Sequence, residues 1–324
     1  MTDYGPSEAK AWAFENIRGI FSAPCIPESR DGEIDEEKLR RDVRHMIDVA
    51  KVDGIYFHGF YGAYWLLTTE ERRSSLEIVI DEAAGAVPVS ARVAHQSLKE
   101  TIALAQHAEN SGAAFLSILA PWLGGGSEEL VVDYVEQVAA STRLGISLFN
   151  TRQSGYVVSA QLMARLAEID NIVALKNHIS PEHTDEIRAL VGDSIVVIDP
   201  DEEIFLENMR NKGQQAIYTC TNLMFDREGS TPMRDYVHSA LAGDFEAAER
   251  SFELARPARE LHRSWVLEPW GRTGLCPIST IRTWTGLQGM SGGPVRHPLP
   301  ELPASERARL ERELAEAGVI ASAE

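Results

Sequence analysis

Between Gly19 and Met224 a short apolar run followed by a helix-periodic stretch recurs eight times, and this alternation limits the fold more than any other property of the chain. The apolar runs are Gly19 to Pro24, Gly54 to His58, Val87 to Val93, Ala114 to Leu119, Gly145 to Phe149, Ile172 to Leu175, Ile195 to Ile198 and Gln215 to Thr219. The stretches between them carry apolar residues at helical spacing, as in Leu39, Val43, Met46, Ile47 and Ala50 of the segment Asp35 to Ala50. Strands that alternate with helices over short connections form a parallel sheet, and eight units predict closure into an α/β fold of the (β/α)8 TIM-barrel class. The eighth helix is expected after Met224, and Thr69 is the expected N-cap of the helix that opens at Glu70.

Beyond the eighth strand the pattern becomes helical. Arg234 to Arg256, Pro257 to Leu267, Ser279 to Leu287 and Ser305 to Ala317 read as helices, the last with Ser305 as N-cap. The expected organisation is a polar leader over residues 1–16 with a short helix near Ala9 to Glu15. A barrel core over 17–224 follows, then a helical C-terminal extension over 225–324 that completes the barrel and adds an appendage.

Lys and Arg total 31 against 49 Asp and Glu, a net charge of −18, which argues against a nucleic-acid surface, since that needs a basic patch. An apolar share of 44% supplies a large core, yet no run approaches the ~20 apolar residues of a membrane span. Cys25, Cys220 and Cys276 lie far apart with no metal-ligand spacing. That usage fits a reducing compartment, and the N-terminus lacks the basic start and apolar run of a signal peptide, so a cytoplasmic protein is expected.

The most informative single residue is Lys176. Ile172 to Leu175 is an uninterrupted apolar run, suited to a strand buried on both faces, and Lys176 follows at its C-terminal end. Barrels of this class keep their chemistry at that end of the strands. An amine in an apolar setting loses its proton readily and can attack a carbonyl carbon. The same position also suits a lysine that ends a strand and extends its ammonium to water.

Several stretches, taken in order, resemble the dihydrodipicolinate synthase and N-acetylneuraminate lyase family of class I aldolases. Ala23-Pro24 with Gly32 to Asp35 looks like the family's first strand and loop, and Gly59 to Gly62 stands where the family has Gly-Thr-Thr-Gly-Glu. Leu67 to Glu71 continues that loop, and Phe149-Asn150 occupies the place of Tyr-Asn. Val173 to Lys176 matches the strand of the Schiff-base lysine, while Gly292 to Arg296 and Pro298 to Pro300 resemble the tail. The resemblance implies a barrel enzyme that joins or cleaves a carbon–carbon bond through an imine between Lys176 and a 2-oxo acid such as pyruvate. It also implies that no cofactor is required and that the chain forms a homo-oligomer, usually a tetramer.

The departures from the family are specific. The loop Gly59-Phe60-Tyr61-Gly62-Ala63 lacks both threonines and the acid but keeps its glycines, whose backbone N–H groups can hold a carboxylate. The family's acid/base tyrosine is here Phe149, and a second relay tyrosine falls at Trp122 or Leu123. Candidate replacements for proton transfer are Tyr61 and His58, with His178 two residues beyond Lys176. Arg152 is placed to take a second carboxylate and Asn150 to orient a carbonyl or to stabilise a turn. Asp199 to Glu203 is an acidic cluster that fits a helix start better than a metal site, and no metal is expected.

Phe60, Tyr61, Tyr64, Trp65, Trp122 and Phe149 lie beside the strands' C-terminal ends, with Trp265 and Trp270 approaching from the appendage. They predict a bulkier or less polar substrate than small aldehydes. The expected activity is therefore Schiff-base-dependent carbon–carbon cleavage or condensation of a 2-oxo acid or a bulkier relative. The alternatives are dehydration of a deoxy-sugar acid through the same imine, and a metabolite-binding paralogue without turnover. A metal-dependent hydrolase would need paired histidines that the chain lacks.

Overall fold

A computed structural model describes residues 4–121 and 126–320. Among them are β1 (Gly19–Ser22), β2 (Gly54–Phe57), β3 (Val89–Arg92), β4 (Phe115–Leu119), β5 (Ile146–Thr151), β6 (Ile172–His178), β7 (Val196–Ile198) and β8 (Ala216–Thr219). They form one sheet in the order β7-β6-β5-β4-β3-β2-β1-β8, with parallel pairing from β2 through β7. From β2 to β7 each strand neighbours its predecessor in the chain and β8 lies beside β1, which is the topology of a (β/α)8 barrel with helices between the strands and a helical C-terminal extension. The chain packs as two compact units. One comprises the described residues up to Phe21 with Asp53–Phe57 and Pro88–Tyr218; the other comprises Ser22–Val52, His58–Val87 and the described residues from Thr219 onward.

In the first unit the sheet is filled by large rings. Phe115 and Tyr218 pack 5.8 and 5.5 Å from Phe21, and Tyr218 stacks on Tyr56 at 4.5 Å. Gly54 is required by this packing, because a Cβ there would fall 2.2 Å from the Phe21 ring. The leader belongs to the same unit: Tyr4 Oη donates to Ala114 O at 2.7 Å and accepts from Gly145 N at 2.9 Å. Lys10 of the helix Ala9–Asn16 donates to Ala167 O, and Gln215 Nε2 donates to Phe14 O within that helix and to Ile17 O at its end.

The second unit is held by a buried ion network. Glu28, 5% exposed, faces Arg282 Nη1 at 3.2 Å and Arg296 Nε at 3.0 Å. Arg282 also donates to Ile26 O at 2.6 Å and to Pro294 O, and Arg296 grips both oxygens of Glu71 at 2.9 and 2.7 Å. Arg296 of the Gly-rich tail thus fastens the loop before the Glu36–Asp48 helix to the start of the Thr69–Ala83 helix.

Helix ends depart from the sequence reading where a stronger cap competes. Thr68, not Thr69, is the N-cap, because its hydroxyl accepts from Glu71 N while the Glu71 carboxylate accepts from Thr68 N. The helix expected from Arg234 to Arg256 breaks into Pro232–Leu241 and Phe245–Leu254: Gly243 adopts φ 83° and Asp244 caps the second piece through Ala247 N. Pro257 to Leu267 likewise resolves into a helix Arg256–His262 and a π-helical turn Arg263–Leu267. The final helix is Ala304–Glu316 with Pro303 at the cap position, so Ser305 lies inside it. Past β8 a single turn, Asn222–Phe225, precedes the first long helix.

Removing Glu28 leaves two guanidinium groups facing each other without their shared anion. Glu28→Ala is expected to lower stability by about 3–5 kcal/mol, measured as the shift in the urea unfolding midpoint at constant slope; a change within experimental error would show that the network is dispensable.

Candidate active site

β6 carries Lys176 near the C-terminal end of a buried strand, two residues before it finishes, and its register sets Lys176 beside Phe149 of β5 and Ile198 of β7. Residues paired across a parallel sheet point to the same face, so Phe149 and Lys176 are neighbours by construction. Lys176 is 8% exposed, with Nζ 4.9 Å from the centre of the Phe149 ring and 5.5 Å from that of Tyr56. Arg92, 1% exposed, stands over the same two rings, its Cζ 4.8 and 5.4 Å from their centres. Arg92 Nη2 donates to Tyr56 Oη at 2.9 Å, and Tyr56 Oη lies 2.5 Å from Ser117 Oγ.

Burial, and then repulsion from Arg92, brings the Lys176 amine down to about 7, while Asp199 acts in the opposite sense. Attraction of the ammonium to the two rings is worth about 1–2 kcal/mol. Removing the charge from water costs several times that, so desolvation prevails. The result is an amine that is substantially neutral, and hence nucleophilic, near neutral pH.

The residues around the lysine divide by what their polar atoms already do. Asn150 Nδ2 donates to Val158 O and to Asn177 Oδ1, both at 2.9 Å, and its Oδ1 accepts from Val158 N at 2.9 Å. Asn177 Nδ2 continues the chain to Thr184 Oγ1 at 2.8 Å. The Asn150 amide is therefore spent on pinning the segment after β5. Arg152 is exposed, in the turn Arg152–Ser154. The β6 strand does extend to His178, which shares the parity of Lys176 and is exposed by surface area. Protein atoms crowd its ring all the same, and loss of solvation followed by the Lys176 charge lowers its imidazole to about 4.

In the second unit, His58 takes the left-handed conformation at φ 54° and is 2% exposed. Its Nε2 lies 3.0 Å from Ser75 Oγ, and Ser75 gives its own proton to Glu71 O at 2.6 Å. Ser75 must then accept from His58, which places the imidazole proton on Nε2 and fastens the ring to the Thr69–Ala83 helix. Gly59 leads into the turn Phe60–Gly62, where the N–H groups of Gly62 and Ala63 are taken by Gly59 O and Phe60 O. Burial, and then the adjacent thiols of Cys276, Cys220 and Cys25, push the Tyr61 phenol well above its usual range, so it keeps its proton at neutral pH.

Phe60 packs 4.7 Å from Trp65 and stacks on Trp270 at 5.5 Å, while Tyr61 meets the Trp270 edge at 6.3 Å. Trp270 follows the π-helical turn closely. Trp265 does not join this group, because its Nε1 donates to Glu313 Oε2 at 2.7 Å beneath the Arg309 guanidinium. Trp122 and Leu123 lie outside the described residues.

Of the acidic cluster, Asp199 Oδ1 accepts from Asp201 N at 3.0 Å, and Asp201 caps the turn Glu202–Ile204 through Glu203 N at 3.0 Å. Among the described residues no group of three or more His, Cys, Asp or Glu is arranged to hold a metal ion. Tyr56 and Arg92 were absent from the sequence expectations. The available signal was a charged residue inside the apolar strand Val-Ser-Ala-Arg-Val and a phenol in mid-strand at Gly-Ile-Tyr-Phe-His.

Residues 16–317 match the model of the Dihydrodipicolinate synthetase family. The chain is 28% identical over 297 residues to the 4-hydroxy-tetrahydrodipicolinate synthase of Methanothrix thermoacetophila, covering 91% of this chain and 95% of that protein. It is 32% identical to the N-acetylneuraminate lyase of Clostridium perfringens over 161 residues, 49% of this chain and 56% of that one. Among solved structures it superposes with a TM-score of 0.81 on YagE, a prophage protein of the dihydrodipicolinic acid synthase family from E. coli K12, in complex with pyruvate. That likeness covers 93% of this chain and 99% of the other at 23% identity.

The buried lysine makes a prediction independent of catalysis. The unfolded chain holds the Lys176 proton up to about 10.5, whereas the folded chain releases it at about 7. Protonation therefore favours unfolding, and the penalty shrinks as pH rises from about 7 and vanishes above about 10.5. Lys176→Met is expected to stabilise the protein by on the order of 2–4 kcal/mol at neutral pH, a gain that fades toward pH ~10. Urea midpoints at the two pH values test this, and a gain independent of pH would contradict it.

Proposed function

We propose, on the premise that this chain belongs to the dihydrodipicolinate synthetase family and is a lyase of the class I aldolase kind, that Lys176 forms an imine with a 2-oxo acid and that carbon–carbon cleavage or condensation proceeds through it. The observation that carries this reading is the Lys176 amine itself, buried at the C-terminal end of β6 and brought down to about 7. A neutral amine attacks the ketone, water leaves, and the resulting cationic C=N bond draws electrons from the adjacent carbon–carbon or carbon–hydrogen bond. Arg92, fixed beside the amine, supports an anionic substrate whose carboxylate balances two neighbouring cations.

The substrate is bulkier or less polar than pyruvate with a small aldehyde. Support comes from Phe149, whose apolar ring lies against the amine where the family resemblance leads one to expect a tyrosine. Cytoplasmic residence and homo-oligomeric assembly belong to the same proposal. The family resemblance supports both, and among the described residues no helix is long and apolar enough to cross a membrane.

Borohydride reduction in the presence of pyruvate and a panel of aromatic and sugar-like 2-oxo acids tests the imine. A mass adduct on Lys176, lost in Lys176→Ala, is expected, with a trapping rate that falls roughly tenfold per pH unit below about 7 as the amine is protonated. No adduct with any carbonyl compound would leave a binding protein as the better description. Stronger labelling by sugar-like than by aromatic acids would contradict the bulky, apolar partner.

A further inference from the structure

The family's acid/base tyrosine is Phe149 in this chain, so the imine chemistry needs another group to move protons. The two residues in the second unit that the sequence offered are poorly suited. His58 has its Nε2 proton committed to Ser75, and burial, then the neighbouring thiols, holds the Tyr61 proton in place. The first unit contains a different phenol. Tyr56 is 1% exposed, the centre of its ring lies 5.5 Å from Lys176 Nζ, and its hydroxyl is held from two sides. Arg92 Nη2 donates to it at 2.9 Å, and Ser117 Oγ lies 2.5 Å away. The stack on Tyr218 at 4.5 Å fixes the ring plane.

We infer that Tyr56 is the acid/base of the Lys176 imine, that Arg92 is the positioning residue that stabilises its phenolate, and that Ser117 is its hydrogen-bond partner. The inference rests on the Schiff-base reading above. The guanidinium points an N–H at the Tyr56 oxygen, and a charge-assisted bond of this kind is about twice as strong as a neutral one.

The step balances as follows. The Nζ lone pair forms the C–N bond while the carbonyl π pair moves to oxygen, which takes the Tyr56 proton. The phenolate then removes the proton from the nitrogen to give a neutral carbinolamine and a restored phenol. Tyr56 next protonates the hydroxyl, the C–O bond breaks, water leaves and the nitrogen lone pair completes the iminium. The remaining phenolate takes a proton from the carbon next to the iminium, giving the enamine and the phenol. In the cleavage direction it takes the proton of the substrate hydroxyl instead, as the carbon–carbon bond breaks. Phe149 contributes a ring face and no proton to any of these steps.

The test separates imine formation from proton transfer. Tyr56→Phe keeps the ring that packs on Tyr218 and faces Lys176, and removes only the hydroxyl. For each 2-oxo acid that labels wild-type Lys176, two quantities are measured: the final yield of borohydride-trapped adduct after long incubation, and the rate of solvent deuterium exchange at the carbon next to the carbonyl, read by NMR. Tyr56→Phe is expected to retain the adduct yield and to lose exchange by a factor of about 10²–10⁴. Ser117→Ala, which keeps the phenol but removes its partner, is expected to slow exchange by about tenfold with the adduct yield unchanged, and it decides the matter if Tyr56→Phe fails to fold. Exchange at the wild-type rate in a folded Tyr56→Phe, or in Ser117→Ala where Tyr56→Phe does not fold, overturns the role of Tyr56 and leaves the imine intact. Absence of adduct in the wild-type protein overturns the imine reading and this inference with it.

Discussion

Two cations share one dry compartment. Lys176 and Arg92 face the same pair of aromatic rings, each less than a tenth exposed, and most of the candidate chemistry follows from that crowding. Only one of them can give up its charge, because a guanidinium does not deprotonate in a protein. The amine therefore bears the whole electrostatic adjustment. The same guanidinium is also the hydrogen-bond donor to Tyr56. One buried side chain thus acts on both the nucleophile and the neighbouring phenol: it discourages a proton on nitrogen and donates a hydrogen bond to oxygen.

The architecture was legible in the sequence because it rests on periodicity. Every strand predicted by an apolar run appears within a few residues of its expected limits, and Lys176 lies near the C-terminal end of its strand, which runs two residues further to His178. The helix ends were less legible, since Thr68 and Thr69 are indistinguishable until Glu71 chooses between them. The surroundings of the lysine were the least accessible. A sequence shows that Asn150 is polar but not that its amide is consumed by Val158, nor that His58 turns into the left-handed region and bonds to a helix. Tyr56 and Arg92 were overlooked because they come from strands whose pairing partners are separated by tens of residues, so that only the register of the sheet brings Arg92 beside Ser117.

The second unit solves a different problem. Glu28, Arg282, Arg296 and Glu71 tie together segments from the early loops and the C-terminal tail. Buried ion pairs are weak sources of net stability compared with apolar packing of the same volume, but they tolerate few alternative arrangements. The Gly-rich tail that ends in Arg296 has little apolar content of its own to fix its path. Its position is specified by where the guanidinium finds two carboxylates.

The leader has a kinetic counterpart to its structure. Tyr4 bonds to Ala114 and Gly145, partners that lie 110 and 141 positions further along the chain. Closing loops of that length precedes any reward from the contact. Tyr4 is made well before either partner, and its hydroxyl waits for both of these bonds until Gly145 has followed it out of the ribosome.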